Sequence, residues 1–283
     1  QEQEYVSLTD NDLHAPAPEE GVFYEYTGIS CSEDGSKVSF VSSAALSIDD
    51  EDTGAWYDVN VYLRDFRDFE NNQLSVLPRQ ISSPEQTTLS GDGTRLLLRE
   101  NNDQLYLWDG TDITTIAEDV SPQFALSFDG SCFAYVSLDG TLYWQEGNND
   151  PLKIDSSAKA SASRSLAMNR DGSVLAYVST VGLKVWHAST KEKNILLEAP
   201  VSDLSLNMSG SHVYFRSGNS WQTLQCGGVQ KDPEILLADL AATDAGFVLS
   251  GNGRFVTYTR MNGSLAQQYH YDLFTEEEVC ISE

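Results

Sequence analysis

The residues with the clearest potential for chemistry lie in the stretch ALSIDDEDTGAWYDVN, residues 45–60. It holds five carboxylates, and oxygen ligands clustered in this way suit Ca²⁺, whose flexible shell takes six to eight oxygens. The spacing departs from that of an EF-hand loop, because Thr53 stands where Asp or Asn is required and Asn60 stands where a bidentate Glu is required. We therefore keep two hypotheses, a calcium site and a solvated acidic loop. The candidate metal ligands are Asp50, Asp52 and Asp58.

The same stretch carries two large side chains, Trp56 and Tyr57. They either pack beneath the loop or form an exposed aromatic platform for a sugar or a protein. The stretch falls inside the longest interval between the recurring motifs described below, and long insertions on a rigid scaffold are common places for binding. We therefore predict Trp56 and Tyr57 as binding residues.

Catalytic side chains are scarce. The four histidines, His14, His187, His212 and His270, are dispersed in ordinary strand-like sequence, and no Gly-x-Ser-x-Gly elbow or glycine-rich phosphate loop occurs. The four cysteines contain no Cys-x-x-Cys pair, so we expect free thiols that are mostly buried. We predict no catalytic residues.

The net charge of the chain limits the classes of partner that it can bind. Lys and Arg number 17 against 43 Asp and Glu, for a formal net charge of −26. Nucleic acid is excluded as a partner because neutralising phosphates requires a basic surface, and anionic membranes are disfavoured for the same reason. No run of about 18 apolar residues is present, so we predict no membrane insertion. The acidity favours the periplasm or the exterior of a bacterial cell.

One phrase recurs six times along the chain, each time as a turn that leads into a strand. A period of about 40 residues in strand-rich sequence is typical of β-propellers, with one four-stranded blade per repeat. Packing such sheets radially buries their apolar faces and protects their edges. The phrases are SEDGSKVSFVS from residue 32, SGDGTRLLLRE from 90, SFDGSCFAYVS from 127, NRDGSVLAYVS from 169, NMSGSHVYFRS from 207 and SGNGRFVTYTR from 250.

These repeats predict an all-β fold, a six-bladed propeller with four-stranded antiparallel blades. We expect a single domain over residues 1–283, closed by an N-terminal strand, residues 4–8, that pairs with the last blade. The recurring third-strand aromatics, Tyr106, Trp108, Tyr143, Trp144 and Trp186, are expected to pack between blades. The expected blades span approximately residues 20–80, 81–119, 120–157, 158–199, 200–239 and 240–283.

Residues 4–65 resemble the TolB-type propeller repeat. The resemblance rests on the Ser-x-Asp-Gly turn at Ser32, the strand and acidic loop that follow, and DVNVYLRD from Asp58 to Asp65, which has two residues more than the family's DVYVRD. The other repeats share only the turn and its strand, and two of them lack the aspartate. The resemblance implies a periplasmic or surface adaptor that binds other proteins.

A propeller also has a central channel lined by the first strands of its blades, and ligands often bind at one mouth. Arg164 and Asp203 fall in two such strands and are our second pair of predicted binding residues.

We therefore expect a non-catalytic extracellular or periplasmic propeller that binds a protein or glycan, with calcium as the one cofactor considered. The alternative is a carbohydrate-active enzyme, a polysaccharide lyase or glycosidase, which would need His, Tyr, Arg or paired carboxylates at one channel mouth. A structural segment of a large adhesin is a third hypothesis.

Overall fold

A computed structural model describes residues 26–42, 60–67, 74–76, 84–160, 164–227, 232–241 and 244–282. These residues form twenty-four strands in six four-stranded sheets, and each sheet uses four strands that are consecutive in the chain. The paired strands run antiparallel. The predicted fold class, an all-β six-bladed propeller, is confirmed.

The strands of the first three blades are as follows. Blade one contains β1 (Tyr26–Cys31), β2 (Lys37–Ser42), β3 (Asn60–Asp65) and β4 (Leu74–Val76). Blade two contains β5 (Pro84–Leu89), β6 (Leu96–Glu100), β7 (Leu105–Trp108) and β8 (Ile113–Ala117). Blade three contains β9 (Val120–Leu126), β10 (Cys132–Ser137), β11 (Leu142–Glu146) and β12 (Leu152–Asp155).

The remaining three blades follow the same plan. Blade four contains β13 (Leu166–Met168), β14 (Val174–Ser179), β15 (Gly182–His187) and β16 (Glu192–Leu197). Blade five contains β17 (Ser202–Leu206), β18 (His212–Ser217), β19 (Ser220–Gln225) and β20 (Glu234–Leu237). Blade six contains β21 (Ala245–Leu249), β22 (Phe255–Asn262), β23 (Leu265–Asp272) and β24 (Glu277–Cys280).

The chain divides into two compact units. The first holds residues 1–122 and 128–131, and the second holds residues 123–127 and 132–283. The single domain, its blade limits and the closing role of residues 4–8 stay predictions, and residues 4–8 lie outside the described part of the chain.

The recurring phrase forms the turn between the first and second strands of every blade. At the first turn, Asp34 Oδ1 accepts hydrogen bonds from Ser32 Oγ at 2.7 Å and from the Ser36 main-chain nitrogen at 2.9 Å. The next residue, Gly35, is in the left-handed region, which glycine adopts with the least steric cost. All six turn glycines share this conformation, with φ between 66° and 74°. Where aspartate is absent, Asn252 Oδ1 accepts the equivalent bond from the Arg254 nitrogen at 3.0 Å.

The hydrophobic core lies between neighbouring blades. Blades four and five share a cluster that includes Val185 and Phe215, and blades five and six share one that includes Trp221 and Tyr258. The predicted packing of third-strand aromatics is confirmed for Trp144 and Trp186, whose ring centroids lie 5.3 Å apart between blades three and four. The Tyr143 ring stacks on Tyr135 of the same blade at 5.2 Å, and its packing against another blade stays a prediction.

The four cysteines are all unpaired. Cys132 and Cys226 are buried as expected, and burial raises the pKa of the Cys226 thiol to about 12. Cys280 is half-buried and Cys31 is exposed, so the expectation of mostly buried thiols holds for two of the four. Among the described residues, no helix is long and apolar enough to cross a membrane.

Candidate functional site

The predicted residues of the acidic stretch, Asp50, Asp52, Trp56, Tyr57 and Asp58, lie outside the described part of the chain. The stretch joins β2 to β3, which end and begin at Ser42 and Asn60. Within the ranges that the structure describes, no three His, Cys, Asp or Glu residues are grouped closely enough to hold a metal ion. The calcium hypothesis therefore stays a prediction.

Arg164 and Asp203, the other predicted pair, lie at one kind of blade end. We call it the 2–3 end, because the second strand of a blade ends there and the third begins. Since the strands are antiparallel, the first strand also begins at this end and the fourth strand finishes there. Arg164 immediately precedes β13 in blade four, and Asp203 lies at the start of β17 in blade five.

The side chain of Arg164 reaches across two neighbouring first strands. Its Nη1 donates a hydrogen bond of 2.7 Å to the carbonyl oxygen of Phe247 in β21 of blade six. Its own carbonyl oxygen accepts a bond of 2.9 Å from the Leu204 nitrogen in blade five. A charged donor to a carbonyl is among the stronger hydrogen bonds. Arg164 thus ties the first strands of blades four, five and six together, and it forms no ion pair with Asp203.

Asp203 occupies a backbone position that glycine fills elsewhere. Its φ is 52°, and β17 contains a bulge between Ser202 and Ser205. The corresponding bulges of β1 and β21 place Gly28 and Gly246 in the same left-handed conformation, with φ of 57° and 67°. Asp203 Oδ2 accepts a hydrogen bond from Ser202 Oγ at 2.9 Å. The left-handed backbone of Asp203 is therefore part of the bulge in β17.

A second arginine, Arg216 at the 2–3 end of blade five, was not predicted from the sequence. It donates to the carbonyl oxygens of Asp244 and Ala241, the latter at 2.7 Å, and so holds the chain that enters blade six. Asp244 itself is 1% exposed. Its Oδ2 accepts from the Ala241 nitrogen at 3.1 Å, whereas its Oδ1 has no hydrogen-bond partner within the described part of the chain. No local motif marks these residues, because their contacts join separate blades.

A buried charged network joins blades three and four, also at the 2–3 end. Asp155 Oδ2 accepts hydrogen bonds from Lys184 Nζ at 2.9 Å and from the Tyr177 hydroxyl at 2.6 Å, and Ser157 Oγ donates to Oδ1 at 2.9 Å. Burial acts to raise the pKa of Asp155, but the bonds from Lys184, Tyr177 and Ser157 outweigh it and lower that pKa. Burial, followed by the bond to Asp155, raises the pKa of the Tyr177 hydroxyl. The network fixes the two blades to each other.

A cavity of about 140 Å³ opens at the 2–3 end of blade four. The turn between β14 and β15 forms one part of its wall, and the connection from β16 to β17 forms another. The lining residues are Lys159, Val178, Ser179, Thr180, Val181, Gly182, Glu198, Ala199 and Pro200.

The 2–3 turns of three blades in the second unit expose aliphatic side chains. Leu138 in blade three is 50% exposed, Val181 in blade four 51% and Leu265 in blade six 68%. The turns between first and second strands differ, because they consist mainly of Ser, Asp, Asn and Gly. At the 2–3 ends of the second unit, hydrogen-bonded charged groups therefore occur on the same side as exposed aliphatic side chains.

The three described histidines lie on three different blades and away from these ends. His187 ends β15 and approaches the Cys226 carbonyl oxygen at 3.4 Å, whereas His212 begins β18 and contacts Ser211 Oγ at 3.0 Å. His270 stacks on Phe255 with ring centroids 5.1 Å apart. Each of these three imidazole rings contacts a neighbouring residue.

Comparison with known proteins shows that this chain is similar in fold to several solved structures. No family model matches the chain, and no curated protein does. The β-propeller domain of Swd1 from Myceliophteria thermophila is similar with a TM-score of 0.62 and 15% identity, covering 91% of this chain and 86% of that one. TolB from Agrobacterium tumefaciens is similar with a TM-score of 0.53 and 16% identity, covering 74% and 83%.

An enzyme is also among the similar structures. Oligogalacturonate lyase from Vibrio parahaemolyticus has a TM-score of 0.64 at 10% identity, covering 92% of this chain and 78% of its own. These similarities establish the propeller fold. Because Swd1, TolB and a lyase share that fold with this chain at such low identity, the similarity assigns no family and no activity.

Proposed function

We propose that this chain is a non-catalytic, TolB-like binding propeller that acts in the periplasm or outside a bacterial cell. Its partner is a protein that docks on the 2–3 ends of the blades. The observation that carries the proposal is that Leu138, Val181 and Leu265, on the 2–3 turns of three blades, are each at least half exposed. Exposed apolar groups beside fixed polar groups are typical of protein interfaces.

The charge of the chain indicates the chemistry of the partner. A net charge of −26 attracts a basic surface and repels an acidic one. We therefore expect a partner whose contact surface combines basic and apolar side chains. In blade one, the acidic stretch with Trp56 and Tyr57 belongs to the connection between β2 and β3, and we propose that it contributes to such contacts.

The arginines at the 2–3 ends favour binding over acid–base chemistry. Arg164 and Arg216 donate to main-chain carbonyl oxygens, so their side chains are held in place. A guanidinium keeps its proton at all physiological pH values and is unsuited to proton transfer. Hydrogen bonding to the main chain makes these ends a rigid surface, which reduces the entropy lost on binding.

A carbohydrate-active enzyme would require histidine, tyrosine, arginine or paired carboxylates that converge on one surface. Arg164 and Arg216 donate to main-chain carbonyl oxygens. The Tyr177 hydroxyl donates to Asp155 and is buried. The described histidines lie on three different blades and away from the 2–3 ends. The similarity to a lyase is one of fold and gives this alternative no specific support. We therefore propose binding as the function.

Site-specific photo-crosslinking tests the proposal. The photoreactive residue p-benzoylphenylalanine replaces Leu138 in one variant and Phe274 in a matched control. Phe274 is 84% exposed but lies on the turn between the third and fourth strands of blade six, at the opposite kind of end. After irradiation of the cells that produce the protein, we expect a discrete protein adduct with the Leu138 variant and none with the control.

Equal adducts at both positions, or an adduct with a glycan instead of a protein, would contradict the proposal. Turnover of polygalacturonate by the purified chain would contradict its non-catalytic part. Mass spectrometry of the adduct shows directly whether the contact surface of the partner is basic.

A further inference from the structure

The cavity at the 2–3 end of blade four has walls of main chain that are fixed by hydrogen bonds. The Lys159 nitrogen donates to the Val178 carbonyl oxygen at 2.9 Å, and the Thr180 nitrogen donates to the Ser157 carbonyl oxygen at 2.8 Å. Ser179 Oγ donates to the Gly182 carbonyl oxygen at 2.9 Å and closes the turn. The cavity is therefore formed before any ligand arrives, which reduces the cost of binding.

Gly182 allows two segments of the wall to approach closely. A Cβ atom at this position would lie 2.1 Å from the carbonyl oxygen of Leu197, so only glycine fits. The contact brings the connection that begins at Glu198 against the turn that carries Val181. Glu198 and Val181 thus line the same cavity, although they come from different parts of the blade.

Two residues of opposite charge, Lys159 and Glu198, line this cavity, and both are exposed. Among the described residues, neither side chain forms a hydrogen bond or an ion pair, and the two do not pair with each other. Two other lysines nearby are paired, since Lys184 Nζ pairs with Asp155 Oδ2 at 2.9 Å and Lys193 Nζ donates to the Ile154 carbonyl oxygen at 2.9 Å. One free cation and one free anion in a single cavity match a ligand that carries both charges.

The size of the cavity limits the ligand. Its volume of about 140 Å³ is below the range of roughly 300–1,000 Å³ that holds drug-sized molecules. Because one water occupies about 30 Å³ in the liquid, the cavity holds the volume of about five waters. An oligosaccharide or a helix is too large to enter, whereas a small amino acid fits.

We propose that this cavity binds a free α-amino acid with a small side chain. The ligand carboxylate pairs with Lys159, its ammonium group pairs with Glu198, and its side chain contacts Val178, Val181 and Pro200. The inference rests on the proposed function, since it gives the binding module a small-molecule ligand beside its docking surface. Exposed ion pairs contribute little each, so we expect weak binding, with a Kd of about 1 mM.

Titration with L-alanine, followed by NMR of the isotope-labelled protein, tests the proposal. Propionate and ethylamine serve as matched ligands that each lack one of the two charges. We expect L-alanine to shift the amide signals of Val181, Gly182 and Glu198 in a saturable manner. Each singly charged analogue should bind about two- to fivefold more weakly, because it satisfies one charge of the pair and an exposed ion pair contributes up to about 1 kcal/mol.

Charge reversal separates the electrostatic explanation from a general effect on folding. Lys159→Glu and Glu198→Lys should each weaken L-alanine binding by about tenfold or more. The double variant K159E/E198K carries both charges in exchanged positions and should recover most of the affinity. Lys153→Glu, an exposed position outside the cavity, is the control and should bind as the unaltered protein does.

The proposal is overturned if about 10 mM L-alanine shifts no cavity signal. Equal binding of propionate or ethylamine, or a double variant as weak as the single ones, would overturn it as well. These outcomes leave the proposed function standing if the Leu138 crosslink still forms. Loss of that crosslink with intact L-alanine binding would instead remove the docking surface and keep the amino-acid site.

Discussion

The charge of Asp203 suggested a role in binding, whereas its observed position is explained by its backbone conformation. It was predicted to bind a ligand at a channel mouth, but it occupies a left-handed position in the bulge of β17 that glycine fills in β1 and β21. Aspartate tolerates this conformation because its short side chain can hydrogen-bond locally, as it does with Ser202. A role in binding stays a prediction.

Substitutions at Asp203 test whether its left-handed backbone conformation is what constrains the residue. Asp203→Gly should change the free energy of unfolding by less than about 0.5 kcal/mol, since glycine accepts the same φ. Asp203→Val should lower it by about 1–2 kcal/mol, because a β-branched side chain clashes with the backbone there. Urea denaturation followed by tryptophan fluorescence measures both values.

The control for Asp203 is Asp150→Val. Asp150 is exposed and has an ordinary negative φ, so its replacement should be nearly neutral. If Asp203→Val costs no more than Asp150→Val, the left-handed backbone is not what constrains Asp203.

At the scale of the elements, a buried carboxylate joins β12 of blade three to β14 and β15 of blade four. Asp155→Ala should lower the free energy of unfolding by about 3 kcal/mol, because Lys184 and Tyr177 then remain buried without their acceptor. The double variant D155A/K184M should recover part of that loss. If the double variant loses as much stability as the two single variants added together, or more, the result contradicts the coupling between Asp155 and Lys184.

The same carboxylate predicts a dependence of stability on pH. The pKa of Asp155 is lowered in the folded protein, because hydrogen bonds from Lys184, Tyr177 and Ser157 outweigh its burial. Its contribution is therefore complete above the unfolded value of about 3.9 and is lost as the pH falls towards the folded value. The difference in stability between the unaltered protein and Asp155→Asn should shrink from about pH 6 to about pH 2. A difference that stays constant in urea titrations over this range would exclude the linkage.

At the scale of the whole molecule, a net charge of −26 places like charges at close range in the folded state. Salt screens this repulsion, with a Debye length of about 30 Å at 0.01 M and about 10 Å at 0.1 M. The thermal unfolding midpoint should therefore rise as NaCl increases from about 0.01 M to about 0.5 M at pH 7. Calorimetry measures the shift.

The control for the salt effect is the same titration near pH 4, where many carboxylates are protonated and the net charge is smaller. The increase in the midpoint should be clearly smaller there. An equal increase at both pH values would assign the effect to general salting-out instead of charge screening.

The sequence by itself determined the fold class. The Ser-x-Asp-Gly turns act over four or five residues through side-chain bonds such as Asp34 to Ser32 and Ser36, so each repeat specifies its own hairpin. The third-strand aromatics could likewise be assigned to packing, since a strand with two apolar faces has to bury both. A period of two residues does not say which neighbour a ring meets, so the contact of Tyr143 with Tyr135 could not be predicted from the sequence.

Only the tertiary structure decided which charged side chains form hydrogen bonds or ion pairs and which do not. Arg164 bonds to Phe247, and Asp155 bonds to Lys184, across separations in the chain that no local motif records. Lys159 and Glu198 remain unpaired for the same reason, since the packing of three chain segments around Gly182 brings them to one cavity. Short-range turn chemistry repeats in the sequence, whereas contacts between blades depend on how whole sheets stack.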